Sequence, residues 1–372
     1  MSQHELTARE VVRYLLDKRL LLPAALTEGK LVVVDVSRRN RNYQVRAEGG
    51  HCFLVKQGVG EEGRMTVAHE ARFYTYARSL NGDSLRRYLP GFHGFDEALG
   101  ILVLELLDAE DARHYLGRIG RFPAGLASGF GEALAALHRL KPDGTGASAT
   151  PPVTMPQPPG ALFLHRPHLP AFRDLSRATL QVLQIVQRFS EFGESLDALR
   201  AGWRVNALIH LDLKWDNWLV LDERRCPWNQ RLRLVDWELA CPGDAAWDVG
   251  SVFNDCLSHW LLSIPVTGQT PPERFPELAR HPLERMQPAL RAFWQSYTRS
   301  RPLDIPASHD LLWRSSQYAA VRLLQSAFEQ MQASPQLTGY AVCCLQVALN
   351  ILRRPQEAAT HLFGIPMPDG NR

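Results

Sequence analysis

The sequence predicts an α+β fold of two lobes, a small antiparallel-sheet lobe first and a larger, mainly helical lobe after it. Three observations carry that prediction. Short apolar and β-branched runs separated by turn residues precede Asp108, helical periodicity dominates after it, and 372 residues are too many for one ordinary small core. The division is placed at residues 1–104 for the N-terminal lobe and 105–372 for the C-terminal lobe.

The first element is an amphipathic helix within MSQHELTAREVVRYLLDKRLLLP, which lacks the unbroken apolar core of a secretory signal. Strands follow at Leu31 to Val36, Asn42 to Ala47 and His51 to Gln57, the last two joined by a Glu48-Gly49-Gly50 turn in which glycine accepts positive φ. A helix is expected from about Thr66 to Ser79, and two further strands at Gly91 to Phe95 and Gly100 to Leu106. Beyond Asp108 an amphipathic run covers Leu126 to Leu140, and a segment rich in Pro, Gly, Ser and Thr from Lys141 to Pro170 reads as a long surface loop. Helix resumes over Ala171 to Ala201. Short apolar runs (NALIH, WLVL, RLRLVDW) come next, and several helices fill the tail from about Pro282 to Leu362.

Composition excludes several classes. A net charge of +3, with basic residues scattered instead of clustered, disfavours nucleic acid as a partner. No stretch is long and apolar enough to span a membrane, so a soluble, cytoplasmic protein is expected. The six cysteines show neither CxxC pairs nor zinc spacing, which reads as free thiols in a reducing compartment.

The chemistry concentrates in His210-Leu211-Asp212-Leu213-Lys214-Trp215-Asp216-Asn217, which matches the pattern H-x-D-L-K-x-x-N of a kinase catalytic loop. Five specified positions coincide by chance in a chain this long only about once in ten thousand. Phosphoryl transfer needs a carboxylate to orient the acceptor hydroxyl and take its proton, together with compensation of the Mg·ATP charge. Asp212 fits the first task. Lys214 is two residues on, within reach of the transferring group, and Asn217 can ligate magnesium through its amide oxygen. Asp236, at the end of the next apolar run and nineteen residues after Asn217, is the expected second magnesium ligand. Lys56 lies in an otherwise apolar strand, where a charge is costly without a partner, and Glu70 in HEARFYTYAR can supply one. Such a pair would hold the lysine for the α- and β-phosphates of ATP. Leu102 to Leu106, with Glu105, reads as a strand entering an interlobe hinge whose backbone can hold adenine.

Taken in order, Lys56, Glu70, the hinge, HLDLKWDN, VDWE and Gly243 to Asp248 resemble the aminoglycoside phosphotransferase and choline kinase-like family over about residues 30 to 350. The resemblance implies a protein-kinase-like two-lobed fold, ATP and magnesium as cofactors, and transfer to a hydroxyl by the matching residues. Only LACPGDAAW separates the DWE stretch from Asp248, which leaves no room for an activation segment of the protein-kinase kind. Asp244, Asp248 and His210 read as structural braces, His138 as a packed helix histidine, and Trp215, Trp218, Trp237 and Trp247 as packing around the motifs.

Two departures from the family pattern stand out. The loop expected over the phosphates, Asp35 to Tyr43, has no glycine. Arg38, Arg39 and Arg41 either supply positive charge there or form a solvated basic turn. Lys214 is the residue that Ser/Thr kinases carry, whereas small-molecule kinases of the family often have histidine or a neutral residue. The expected acceptor is a hydroxyl-bearing small metabolite or antibiotic. One alternative is a Ser/Thr side chain in a peptide, as in lanthipeptide maturation, where a partner lyase would act next. A second is a non-catalytic pseudokinase scaffold.

Overall fold

The computed structural model describes residues 5–27, 31–48, 51–80, 84–143, 157–167, 175–222, 230–265 and 272–367. The Gly49-Gly50 turn, Cys226 and most of the expected 141–170 loop lie outside these residues.

In chain order the first elements are α1 (Ala8–Asp17), α2 (Ala24–Thr27), β1 (Leu31–Asp35), β2 (Arg41–Ala47), β3 (Phe53–Gln57), α3 (Gly60–Ser79), β4 (Phe92–Asp96), β5 (Ile101–Glu105) and β6 (Ala109–Asp111). Next come α4 (Ala112–Ile119), α5 (Ala124–His138), α6 (Arg177–Arg188), α7 (Ser190–Ala201), β7 (Ala207–Ile209), β8 (Trp218–Leu221), β9 (Leu232–Leu234) and β10 (Cys241–Gly243). The chain closes with α8 (Ala245–Leu262), α9 (Leu283–Ser300), α10 (Ile305–Met331), α11 (Gly339–Arg353) and α12 (Pro355–His361). These elements form two compact units, one from the described parts of residues 1–112, 143–153 and 217–240, the other from the described remainder.

The first unit is built on an antiparallel sheet of order β1-β2-β3-β5-β4. Strand alternation decides its faces. Tyr43, Val45, Phe53, Val55, Ile101 and Val103 are buried with Val11 and Leu15 of α1 in one cluster. Each such side chain contributes roughly 1.5–3 kcal/mol of burial free energy, which fixes the register and turns Leu54 and Lys56 to the opposite face. α1 begins with a capping box between Thr7 and Glu10. A second sheet, β6-β8-β9, belongs to the same unit.

The second unit is mainly helical, with β7 and β10 forming a two-stranded antiparallel ribbon. Glycine sets its closest helix contacts. A Cβ on Gly131 of α5 would stand 2.4 Å from the Phe293 carbonyl oxygen of α9, and one on Gly250 of α8 would stand 2.7 Å from the Ser315 carbonyl oxygen of α10. Any larger residue would push these backbones apart.

Three elements differ from the sequence reading. α3 begins at Gly60, not near Thr66; Gly60 adopts φ +67°, a left-handed conformation open to glycine, where the chain turns into the helix. Glu61 and Glu62 then sit where the helix dipole favours negative charge. The helix expected over 171–201 is two helices, since Phe189 adopts extended geometry between α6 and α7. β6 interrupts the stretch expected to be helical, and its polar Ala-Glu-Asp sequence is held by pairing with β8.

Candidate active site

In the first unit, Lys56 sits mid-strand on β3, paired with Asn42 on one side and Leu102 on the other. Glu70 reaches it from α3, with Lys56 Nζ donating to both carboxylate oxygens at 3.0 and 2.9 Å. Asp236 Oδ1 is 3.7 Å from the same nitrogen. Burial pulls the Lys56 ammonium down, but the Glu70 and Asp236 carboxylates more than offset this and hold it above its ordinary value. Burial also raises Glu70, which is almost fully enclosed, and Lys56 counters that rise.

Asn217 enters β8 and Asp236 follows β9, and the Val235 N–H donates to the Asn217 carbonyl at 3.0 Å. The hairpin thus brings together two oxygen donors nineteen residues apart in sequence. Asp236 adopts φ +70°, a left-handed conformation that costs roughly 1–2 kcal/mol for most residues and that aspartate visits more readily. Behind it Trp237 stacks on Phe73 of α3 at 3.8 Å between ring centroids.

Lys56, Asn217 and Asp236 line one cavity of about 310 Å³, together with Leu54, Leu104, Glu105, Leu219 and Val235. Its lining combines apolar side chains with charged and amide groups, the mixture common in small-molecule sites. Glu105 accepts from the Gly91 N–H at 2.9 Å, so its carboxylate is committed to the turn before β4.

The flap arginines do not line this cavity. Arg41 pairs with Glu5 at 2.5 Å, and Arg39 lies 3.8 Å from Glu62. Arg38 is exposed in the turn, its N–H donating to the Asn40 carbonyl. The side chain of Asn40 instead accepts from the Val59 N–H at 3.2 Å, tying the flap to the start of α3.

In the second unit, Lys214 Nζ lies 2.6 Å from Asp212 Oδ2. The preceding residue, Leu211, adopts φ +70°, which a leucine tolerates only where its surroundings over-determine it. They do so here. Asp248 accepts from the backbone N–H groups of His210 at 2.7 Å and Leu211 at 3.1 Å, and the Trp247 indole donates to the Leu211 carbonyl at 2.8 Å. His138 bonds Asp248 at 3.2 Å and Tyr297 at 2.9 Å. Burial lowers the His138 pKa, with Asp248 opposing. Asp244 caps α8 and is held by Arg314 and Tyr318.

One charged residue escaped the sequence reading. Arg322 of α10 is 3.8 Å from Asp212 Oδ1, donates to the Leu213 carbonyl at 3.3 Å, and lies over the Trp247 ring. The signal was present, since an arginine inside the apolar run AAVRLLQSAF is costly without a partner. Trp215, Trp218, Trp237 and Trp247 are all buried.

The sequence matches the phosphotransferase enzyme family over residues 31–269. Among solved structures, a choline kinase from Cryptosporidium parvum is similar at 12% identity and a TM-score of 0.57, covering 95% of this chain and 98% of its own. A choline kinase from Streptococcus pneumoniae matches at 14% identity and a TM-score of 0.46, covering 90% of this chain and 98% of its own. An aminoglycoside 2'-phosphotransferase solved with GDP matches at 13% identity and a TM-score of 0.45, covering 91% and 97%. No curated protein sequence matches significantly. No helix of the described residues is long and apolar enough to cross a membrane. The likeness to the C. parvum enzyme shows a kinase-like α+β fold, and the family match spans well over half of the sequence: the chain belongs to the phosphotransferase enzyme family.

Proposed function

We propose that the protein transfers the γ-phosphate of ATP to a hydroxyl group with the help of magnesium. The observation that carries this reading is the convergence of Lys56, Asn217 and Asp236 on one cavity. The donor set fits a hard cation, since one carboxylate and one amide oxygen leave coordination positions for phosphate and water. Magnesium there would neutralise charge on the phosphates.

In this reading Glu70 orients Lys56 toward the α- and β-phosphates, and the backbone beside Glu105 meets the base. Asp212 orients the acceptor hydroxyl and takes its proton, five residues before Asn217 in the chain. Lys214 compensates charge on the transferring group. The acceptor is a hydroxyl-bearing small molecule in the cytoplasm. The close Lys214–Asp212 pair favours one second reading, a Ser/Thr side chain of a peptide as acceptor.

The test is Mg·ATP turnover by wild type beside Asp212→Ala, with mass spectrometry of candidate acceptors for an added phosphate. A fall of about a thousandfold or more is expected on losing the base. Turnover that survives in Asp212→Ala would overturn the assignment.

A further inference from the structure

Beside Glu70 on α3 stands a buried donor that the phosphotransfer reading does not use. His69 is 6% exposed, and its Nε2 lies 2.6 Å from the carbonyl oxygen of Ala240, 171 positions away in the sequence. A carbonyl only accepts, so Nε2 carries the proton and donates. Burial depresses the His69 pKa below its ordinary value, with the Ala240 carbonyl opposing, and the ring is neutral at pH 7.

Ala240 ends the short segment that begins at Asp236, and the contacts of that segment say what the bond holds. Asp236 adopts φ +70°, a conformation that persists only where its surroundings over-determine it. On its N-terminal side the hairpin anchors it, the Val235 N–H donating to the Asn217 carbonyl. On its C-terminal side the Trp237 ring lies on Phe73 of α3, with 8° between the ring planes, and its indole donates to the Leu234 carbonyl at 3.0 Å. The Ala240 N–H then closes a turn on the Trp237 carbonyl at 3.2 Å. His69 and Phe73 stand one helical turn apart on one face of α3. That face grips the segment at Trp237 and again at Ala240, while Glu70, the next residue after His69, clasps Lys56. Stacked rings tolerate sliding in their common plane, whereas a hydrogen bond is directional. The His69 bond therefore sets where the segment sits along the helix.

We infer that His69 is a positioning residue of the metal site: its bond to the Ala240 carbonyl holds the Asp236–Ala240 turn on α3 and keeps the Asp236 carboxylate in the cavity that Asn217 also lines. This role rests on the magnesium assignment of Asn217 and Asp236 proposed above. It makes α3 the common mount for both halves of phosphate binding, Lys56 through Glu70 and the metal through His69. Without the donor, the carbonyl of the fully buried Ala240 loses this partner and Asp236 is released from one of its constraints. The consequence is specific. Metal-assisted nucleotide binding weakens, and metal-free binding, which depends on Lys56, does not.

The experiment is calorimetric titration of the full chain with the non-hydrolysable ATP analogue AMP-PNP, once with magnesium and once with EDTA. The readout is the ratio of the two affinities, which a general loss of stability does not move. His69→Phe keeps a ring and removes the donor, and His69→Gln keeps an N–H in its place. Circular dichroism checks that each variant is folded, and His69→Asn, too short to reach Ala240, replaces His69→Phe if that variant is not. The ratio should fall about five- to tenfold in His69→Phe, the worth of one hydrogen bond, with the EDTA affinity unchanged. His69→Gln should return it to within about twofold of wild type. A wild-type ratio in folded His69→Phe, an equal loss in both titrations, or a His69→Gln as impaired as His69→Phe overturns the inference. Asp236→Asn separates this from the underlying assignment. A ratio that Asp236→Asn leaves intact, or a wild type indifferent to magnesium, overturns the metal site and the role of His69 with it, whereas a loss in Asp236→Asn alone overturns only the role of His69.

Discussion

Two charged clusters, one in each unit, are held in opposite ways. Around Lys56 the side chains fix one another. A mostly enclosed ammonium is clasped by a buried carboxylate at 2.9 Å and approached by a second at 3.7 Å. Around Asp212 it is the backbone that is fixed, by Asp248, Trp247 and His138, while Asp212 and Lys214 keep partial access to solvent. A group that only has to hold a ligand can be locked by charge. A group that has to exchange a proton needs a rigid mount and an open face.

The sharpest way to break this contrast is to remove the mount. Asp248→Ala leaves two buried amide N–H groups and His138 without their acceptor, and should cost about 3 kcal/mol of stability. Turnover should fall about a hundredfold as Leu211 leaves its left-handed conformation. Denaturant unfolding and kcat on the same sample check both. Loss of stability with unchanged turnover would show that the loop does not need the brace.

Glu70→Ala tests the other side. It leaves Lys56 without its main partner in a mostly enclosed position, and should cost about 2 kcal/mol, less than a fully buried pair because Lys56 is partly exposed. Nucleotide affinity should weaken about tenfold. Glu70→Gln, which keeps one acceptor, should fall between wild type and alanine.

Much of the site was legible because its signals are local. Asp212, Lys214 and Asn217 stand within six positions, Asp236 follows a recognisable hairpin, and Lys56 is a charge in an apolar strand. Groups that owe their place to tertiary packing were not. Arg322 meets Asp212 from 110 positions downstream, and His138 reaches Asp248 across the same distance. The Asn40 side chain secures the flap to α3 where the sequence showed only missing glycine. In the fold, the break at Phe189 has no glycine or proline to announce it, and β6 is too polar and short to show strand alternation.

A milder probe targets Arg322, which is expected to position Asp212 through its charge and through the Leu213 carbonyl. Arg322→Lys keeps the charge but loses the planar fork, and should lower kcat about tenfold with KM for ATP unchanged. An equal change in both would place its role in binding.

The smallest effect is a pH dependence. Burial pushes the Asp255 carboxyl up to about 7, opposed by Arg113 and Arg322. Its folded pKa lies above the unfolded value near 4, so the native state holds an extra proton between them. That contribution is complete below about pH 4 and is lost as pH rises through about 7. Denaturant unfolding from pH 5 to 8.5 should show wild type losing stability relative to Asp255→Asn, with a flat difference contradicting the assignment.

The division of labour itself is tested most directly by measuring Mg·ATP binding and turnover side by side in Asp212→Ala and Lys56→Ala. Asp212→Ala is expected to bind nucleotide as wild type does while turning over about a thousandfold more slowly, and Lys56→Ala to lose both. Nucleotide binding lost in Asp212→Ala, or retained at full strength in Lys56→Ala, would contradict it.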